Sequence, residues 1–213
     1  MRYEAVIFDL DGTLIDSSKG IVRAAEETIH EFGYPAIPCE ELTSYIGQPV
    51  GRRVVERNGS DESEVARFNS VFYRKYESEY LMDAETYPGI TEMLHDLRGS
   101  VFIGVATYKR AECAVTLLNG LGLSRFFDDI CGLDAERKLI KKDIIENCIA
   151  ASGADAGGRV VVVGDTKIDE SAAKECGADF IGVMFGFGFK KKEEITYGRA
   201  AESVQSLWNM LSE

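Results

Sequence analysis

Two carboxylates, Asp9 and Asp11, stand where the apolar run of the stretch VIFDLDGTLID ends. Residues two apart on a strand project to the same face, so both acids emerge together if the strand stops near Asp9. Gly12 then lets the chain turn tightly, and the amides of that turn are available to an anion. A carboxylate can attack phosphorus, and a second carboxyl group can donate a proton to the leaving oxygen.

Other polar side chains follow other apolar runs. Thr107 ends VFIGVAT, Asp165 ends RVVVVGD, and Asp169 comes four residues later. Several acids, a hydroxyl and a lysine suit a hard divalent cation and a phosphoryl group, and Mg²⁺ usually binds through one or two carboxylates plus substrate phosphate. Three lysines ahead of the next helical pattern are candidates for the cation that faces the phosphate: Lys138, Lys141 and Lys142.

The elements that must position these groups are short apolar strands. Residues 5–8, 101–107, 159–165 and 180–185 are β-branched and nearly all apolar, and a weaker fifth run lies near Asp129. Such continuous apolarity is typical of parallel strands that are covered on both faces. Helical patterns separate the strands in the second half, which predicts a doubly wound α/β sheet whose strand ends meet in one crevice.

Residues 16–85 have a different pattern. They contain no convincing strand, and apolar residues recur at helical spacing in three segments. This predicts a helical hairpin or small bundle inserted directly after the first strand.

Composition narrows the class of protein. A chain of 213 residues with a net charge of −12 can bury a sizeable core but repels nucleic acid, anionic membranes and, on average, an anionic substrate. A metal ion and a few cations must then reverse the sign locally. The five cysteines are odd in number and contain no CxxC, which argues against a disulfide framework and more strongly against a thiolate metal site. Reduced thiols in a cytoplasmic protein are expected.

The order of the motifs resembles the haloacid dehalogenase-like superfamily: DLDGTL, a threonine at the end of a later strand, a lysine, then GDTKID. The helical insert resembles the small α-helical cap of the subgroup that contains phosphoglycolate phosphatases and β-phosphoglucomutases. YIGQP, YPGI and VMFGFG are also similar to phosphoglycolate-phosphatase-type members. The resemblance implies a Rossmann-like catalytic core of residues 1–15 and 86–213, with residues 16–85 as the inserted cap.

The resemblance also implies roles for the acids. Asp9 would be the nucleophile and a Mg²⁺ ligand, and Asp11 the general acid and base, with its backbone carbonyl on the metal. Asp165 would hold Mg²⁺, and Asp169 would support the metal directly or through water.

Two further positions match phosphate-binding groups of the family. Thr107 would hydrogen-bond the phosphoryl group. Lys141 is the favoured lysine, because similar members carry one just before a similar helix start, and Lys138 is the alternative.

Positions where this sequence differs from the family pattern are the candidates for determining substrate choice. Tyr108 stands where many relatives carry Asn, and Gln48 stands in a cap loop where relatives often have Pro. Arg52 and Arg53 lie nearby in sequence, and arginine suits a carboxylate or a second phosphate. A cap of this kind closes over the crevice and excludes water, as lids do.

The function that follows is a Mg²⁺-dependent phosphatase acting on a small phosphoglycolate-like phosphomonoester through an aspartyl-phosphate. A pyrophosphatase, a 5'-nucleotidase and a β-phosphoglucomutase-like phosphomutase are the alternatives within the superfamily. Asp11 argues against a dehalogenase, because true dehalogenases lack the second acid. A signalling receiver module shares the acid cluster but lacks the inserted helices and the DxDGT motif.

Overall fold

The structure is a computed structural model, and it describes residues 2–59, 61–134, 136–154 and 159–213. It divides into two compact units, one formed by Met1–Asp16 with Thr86–Glu213 and the other by Ser17–Glu85. The chain passes from one unit to the other at two short strands, β2 (Ile15–Asp16) and β3 (Glu85–Thr86).

The first unit is built on a parallel sheet, in which the described strands follow the order β5-β4-β1-β6-β7-β8. The order runs outward from β1 in both directions, as in a doubly wound fold, so the crevice for a ligand is expected at the carboxyl ends of the central strands. The predicted fold class is confirmed. The strands are β1 (Ala5–Phe8), β4 (Phe102–Arg110), β5 (Asp129–Leu133), β6 (Val160–Gly164), β7 (Asp179–Val183) and β8 (Arg199–Ala201).

The two central strands are buried along their whole length. Every residue of β1, with the sequence AVIF, and of β6, with the sequence VVVVG, is inaccessible to solvent. Helices on both faces of the sheet provide this cover. The helices of this unit are α5 (Ile90–Leu97), α6 (Ala111–Gly120), α7 (Lys141–Ser152), α8 (Lys167–Glu175) and α9 (Val204–Ser212).

Two predicted strands differ from the observed ones near their carboxyl ends. β4 continues to Arg110 rather than stopping at Thr107, and its pairing with β5 shifts register between Ala106 and Arg110. Such an irregularity redirects side chains at the end of a strand. The strand predicted over 180–185 ends at Val183, because the chain then turns to hydrogen-bond Asp165. Sequence reasoning did not identify α8 or β8.

The second unit is helical, as predicted, and has a core of its own. Phe68 is fully buried, and its ring centre lies 5.1 Å from that of Phe32. The helix that begins at Glu62 ends at Lys75, and the chain continues as a π-helical turn, Tyr76–Tyr80. The helices are α1 (Ser18–Glu31), α2 (Cys39–Thr43), α3 (Val50–Arg57) and α4 (Glu62–Lys75).

None of the helices in the described part of the chain combines the length and the apolarity that crossing a bilayer requires.

Candidate active site

Asp9 follows the last residue of β1, and its side chain is held by a buried lysine. Its backbone N–H donates to the carbonyl oxygen of Val163 at 2.8 Å, which extends the ladder between β1 and β6 by one residue. The carboxylate lies 2.5 Å from Nζ of Lys141, and the same nitrogen lies 2.8 Å from Oδ1 of Asp169. Lys141 is the first residue of α7, and only 4% of its side chain is exposed.

Asp169 is fixed by the start of α8. Its carboxylate accepts hydrogen bonds from the backbone N–H and the hydroxyl of Thr166, at 3.0 and 2.5 Å. The Thr166 hydroxyl accepts the N–H of Asp169 in return, a reciprocal arrangement that satisfies two donors at the start of a helix. One oxygen of Asp169 thus supports the helix while the other faces Lys141.

Asp165 follows β6 and is held by backbone groups on one side only. Its Oδ2 accepts hydrogen bonds from the N–H groups of Phe187 and Gly188, at 2.7 and 3.0 Å. Its Oδ1 is buried, and no group among the described residues donates to it. A buried carboxylate oxygen without a donor is costly, so an unpaired oxygen here points to a ligand.

These acids form a cluster that fits a hard cation. One carboxylate oxygen from each of Asp9, Asp165 and Asp169 lies within 4.8 Å of the others, and all three residues are buried. An all-oxygen set of carboxylates is the donor chemistry that Mg²⁺ prefers. The unpaired Oδ1 of Asp165 is the atom of this cluster that most requires such a partner.

The pKa shifts of the clustered groups indicate that a further positive charge would stabilise the ionised acids. Burial raises the pKa of Asp9 well above its ordinary value, and the neighbouring acids add to the rise while Lys141 opposes it. Burial, together with the charge of Asp169, raises the pKa of Asp165 to about 7. Burial alone would lower the pKa of Lys141, but the charges of Asp169 and Asp9 outweigh it and raise that pKa. The acids therefore resist simultaneous ionisation unless a cation joins them.

Asp11 lies apart from this cluster and faces a second lysine. Its Oδ1 is 3.3 Å from Nζ of Lys109, whose side chain is only 6% exposed. Gly12, directly after it, has a φ of 92°, a conformation that only glycine adopts without strain. Sequence reasoning did not identify Lys109. The sequence offers no clear signal for it, because Lys109 lies between Tyr108 and Arg110 at the polar end of β4.

Thr107 and Tyr108 lie at the irregular end of β4. Thr107 is buried, and its hydroxyl oxygen accepts the N–H of Lys109 at 3.1 Å. The phenol oxygen of Tyr108 accepts the N–H of Lys141 at 3.0 Å. Tyr108, expected to influence substrate choice, therefore contacts the residue that faces the acids.

The contacts of the three candidate lysines differ in the structure. Lys141 alone among them contacts the acid cluster in the described residues. Lys138 is exposed and lies 3.4 Å from Glu136, and Lys142 lies 3.4 Å from Glu146 one helical turn later.

The candidate specificity residues of the helical unit have partners within that unit. Arg52 donates to both carboxylate oxygens of Glu62, at 2.7 and 2.6 Å. Gln48 reaches the carbonyl oxygen of Ser44 at 3.5 Å. The guanidinium carbon of Arg53 lies 5.4 Å from the ring centre of Tyr45. Their part in substrate choice stays a prediction.

Comparison with known proteins identifies the family. The model of the haloacid dehalogenase-like hydrolases matches residues 6–183, and the chain belongs to that family, as its motifs predicted. A phosphoglycolate phosphatase of Neisseria meningitidis serogroup A is 33% identical over 193 residues, covering 87% of this chain and 82% of the relative. A 5'-nucleotidase of Pseudomonas aeruginosa is 27% identical, covering 88% of this chain and 86% of that relative.

A solved structure agrees with this placement. The crystal structure of a predicted phosphatase from Clostridium acetobutylicum superposes with a TM-score of 0.91 and 25% identity, covering 100% of this chain and 99% of that one. Within the family, the chain is an enzyme of the phosphatase type and falls in the phosphoglycolate phosphatase-like subgroup.

Proposed function

We propose that this chain is a Mg²⁺-dependent phosphatase that hydrolyses a small phosphomonoester of the phosphoglycolate type through an aspartyl-phosphate on Asp9. One observation carries the proposal. The buried Oδ1 of Asp165, which has no donor among the described residues, belongs to a cluster of three acids beside the ammonium group of Lys141.

The charges of the cluster support a divalent cation. Asp9, Asp165 and Asp169 carry three negative charges when ionised, and Lys141 offsets one of them. The remaining charge of −2 is equal and opposite to that of Mg²⁺, which Asp9, Asp165 and Asp169 would hold together with the backbone carbonyl of Asp11. When bound, Mg²⁺ supplies positive charge that stabilises the negative charge of the phosphoryl oxygens.

The first step transfers the phosphoryl group to the protein. A carboxylate oxygen of Asp9 attacks phosphorus, and the bond from phosphorus to the ester oxygen breaks. Asp11 donates its proton to that leaving oxygen. Lys141 and the hydroxyl of Thr107 hydrogen-bond the phosphoryl oxygens and hold them in line for attack.

The second step releases phosphate. Asp11, now a carboxylate, takes a proton from a water molecule whose oxygen attacks phosphorus, and the bond to Asp9 breaks. Lys109, 3.3 Å from Asp11, orients this carboxyl group in both steps.

Substrate class is inferred from the relatives. The Neisseria relative is named a phosphoglycolate phosphatase, and this supports a small phosphorylated carboxylate as the substrate. The Pseudomonas relative is named a 5'-nucleotidase, which makes a nucleoside monophosphate the second candidate. Initial rates on phosphoglycolate, nucleoside monophosphates, pyrophosphate and sugar phosphates separate these candidates. Formation of a sugar phosphate isomer without free phosphate would contradict hydrolysis.

The decisive substitution is Asp9→Asn. It removes the nucleophile but keeps the shape of the side chain, so turnover of an aryl phosphate in Mg²⁺ should fall by more than about a thousandfold. Asp96→Asn, at an exposed acid of α5, is the matched control and should keep wild-type turnover. Circular dichroism of both variants checks folding. Wild-type turnover in a folded Asp9→Asn protein would refute the proposal.

A further inference from the structure

Two thiols and a carboxylate meet in the first unit, apart from the acid cluster. One donor atom from each of Asp129, Cys131 and Cys148 lies within 4.8 Å of the others. The odd number of cysteines and the lack of a CxxC argued against a thiolate metal site, and Cys131 and Cys148 are 17 positions apart in the chain. The fold brings them together by packing α7 on β5.

The register of the sheet explains why there is room for the two sulfurs. Gly104 pairs with Asp129 and Ala106 pairs with Cys131, so the smallest side chains of β4 lie beside the donors of β5. The sulfur of Cys148 occupies the space that a β-carbon at position 104 would fill. All three donors therefore share the face of the sheet that α7 covers.

The carboxylate is already oriented toward the sulfurs. Oδ1 of Asp129 accepts the N–H of Ile130 at 2.9 Å, which fixes the side chain. Oδ2 accepts the thiol of Cys131 at 3.2 Å. Asp129 and Cys131 are half-buried and Cys148 is buried, so solvent reaches the cluster at the two residues of β5.

We propose that Asp129, Cys131 and Cys148 form a binding site for one thiophilic divalent cation of the Zn²⁺ or Cd²⁺ class. Zinc accepts cysteine sulfur at about 2.3 Å and carboxylate oxygen at about 2.0–2.2 Å, which requires donors roughly 3.5–3.8 Å apart in a tetrahedron. The observed donors lie within 4.8 Å of one another, so side-chain rotations that bring them about 1 Å closer reach that spacing. Three protein ligands leave the fourth position to water.

Binding exchanges protons for the metal ion. The hydrogen bond to Cys131 and burial raise the pKa of the Cys148 thiol, so this thiol stays protonated without a cation. The ion displaces both thiol protons to solvent and forms two metal–sulfur bonds. Mg²⁺, a hard cation that prefers oxygen, does not compete for these sulfurs.

The site would connect β5 to α7 at a defined point. Cys148 lies seven residues after Lys141, on the same helix. An ion bound by the native state alone stabilises it by mass action, so Cd²⁺ should raise the melting temperature of the chain. The inference does not depend on the proposed phosphatase mechanism.

Titration of the wild-type chain of 213 residues with Cd²⁺ tests the proposal. Excess Mg²⁺ in the buffer occupies the carboxylate sites so that Cd²⁺ does not bind there. A phosphine reductant keeps the thiols reduced. We expect saturation at one Cd²⁺ per chain, with the ultraviolet charge-transfer absorption that cadmium thiolates give and carboxylates do not. Absence of that absorption would overturn the proposal.

Three variants locate the ion. Cys131→Ser should abolish the absorption, and Asp129→Asn, which keeps both thiols, should weaken Cd²⁺ binding about tenfold or more. Cys113→Ser, at a buried cysteine of α6 outside the cluster, should bind Cd²⁺ like the wild type. Circular dichroism confirms that each variant folds. Unchanged absorption in folded Cys131→Ser would place the ion elsewhere and refute the site.

Discussion

Tyr108 connects the irregular end of β4 to the start of α7. Its phenol oxygen accepts the N–H of Lys141, and the ammonium of Lys141 lies 5.7 Å from the centre of the ring. The N–H of a first helical residue has no partner within its helix, so the phenol satisfies a donor that would otherwise be unpaired. This bond and the capping hydrogen bond from the N–H of Ile140 to Asp143 both hold the start of α7, from which the side chain of Lys141 reaches the acids.

Tyr108→Phe should therefore impair catalysis more than binding. The ring stays in place, but Lys141 loses the contact that positions it, so we expect kcat to fall several-fold with KM little changed. Tyr197→Phe removes a similar phenol hydrogen bond, to the carbonyl oxygen of Ala178, away from the acids. Both variants should lose about 1 kcal/mol of stability, but only Tyr108→Phe should lower kcat. A raised KM with unchanged kcat would contradict this positioning role and would indicate that Tyr108 acts in substrate recognition.

The acids were accessible to sequence reasoning because each lies at the carboxyl end of a strand or one turn beyond it. Parallel strands bring those ends together, so Asp9, Asp165 and Asp169 could be predicted to meet from their positions alone. Lys109 could not, because nothing in the sequence distinguishes it from the neighbouring Arg110 as the partner of Asp11. Residue propensities predict the position of a strand better than they predict the backbone geometry at its end.

The segment after β7 shows the same limit at the scale of an element. Residues 184 and 185 continue the apolar run and predict two more strand residues, but the chain turns there. The turn lets the backbone of Phe187 and Gly188 donate to one oxygen of Asp165. Three hydrogen bonds to Asp165, including one from Phe189 to its carbonyl oxygen, outweigh the strand propensity. The sheet itself was predictable because its pattern involves many residues.

Gly188→Ala tests whether this turn positions Asp165. A β-carbon at position 188 would collide with the carbonyl oxygen of Asp165, which is backbone and can move only with its carboxylate. We expect the variant to bind Mg²⁺ at least several-fold more weakly in calorimetric titration, with lower stability as well.

Gly99→Ala is the control for that loss of stability. Gly99 has a φ of 79° and open space around it, so alanine there costs roughly 1 kcal/mol of backbone strain without touching Asp165. It should lower the melting temperature but leave the affinity for Mg²⁺ unchanged. Equal Mg²⁺ affinities in the two variants would show that the turn does not position the carboxylate.

At the scale of the whole molecule, each unit has its own buried aromatic residues. Phe68 is fully buried in the helical unit, and Phe180 is 1% exposed in β7 of the sheet unit. The only tryptophan of the sequence, Trp208, lies in α9 of the sheet unit. Tryptophan fluorescence therefore reports on the sheet unit, while far-ultraviolet circular dichroism reports on the helices of both.

We predict that the two units, residues 17–85 and the remainder, unfold as separate cooperative bodies. Phe68→Leu and Phe180→Leu each leave a small cavity that costs about 1–2 kcal/mol. In urea, Phe68→Leu should shift part of the circular dichroism transition to lower urea concentration. It should leave the midpoint of the fluorescence transition unchanged, because Phe68 lies in the helical unit and Trp208 lies in the sheet unit. Phe180→Leu should shift the fluorescence midpoint. Coincident transitions by both probes in both variants would mean that the chain unfolds as one body, and the domain division would lose its thermodynamic basis.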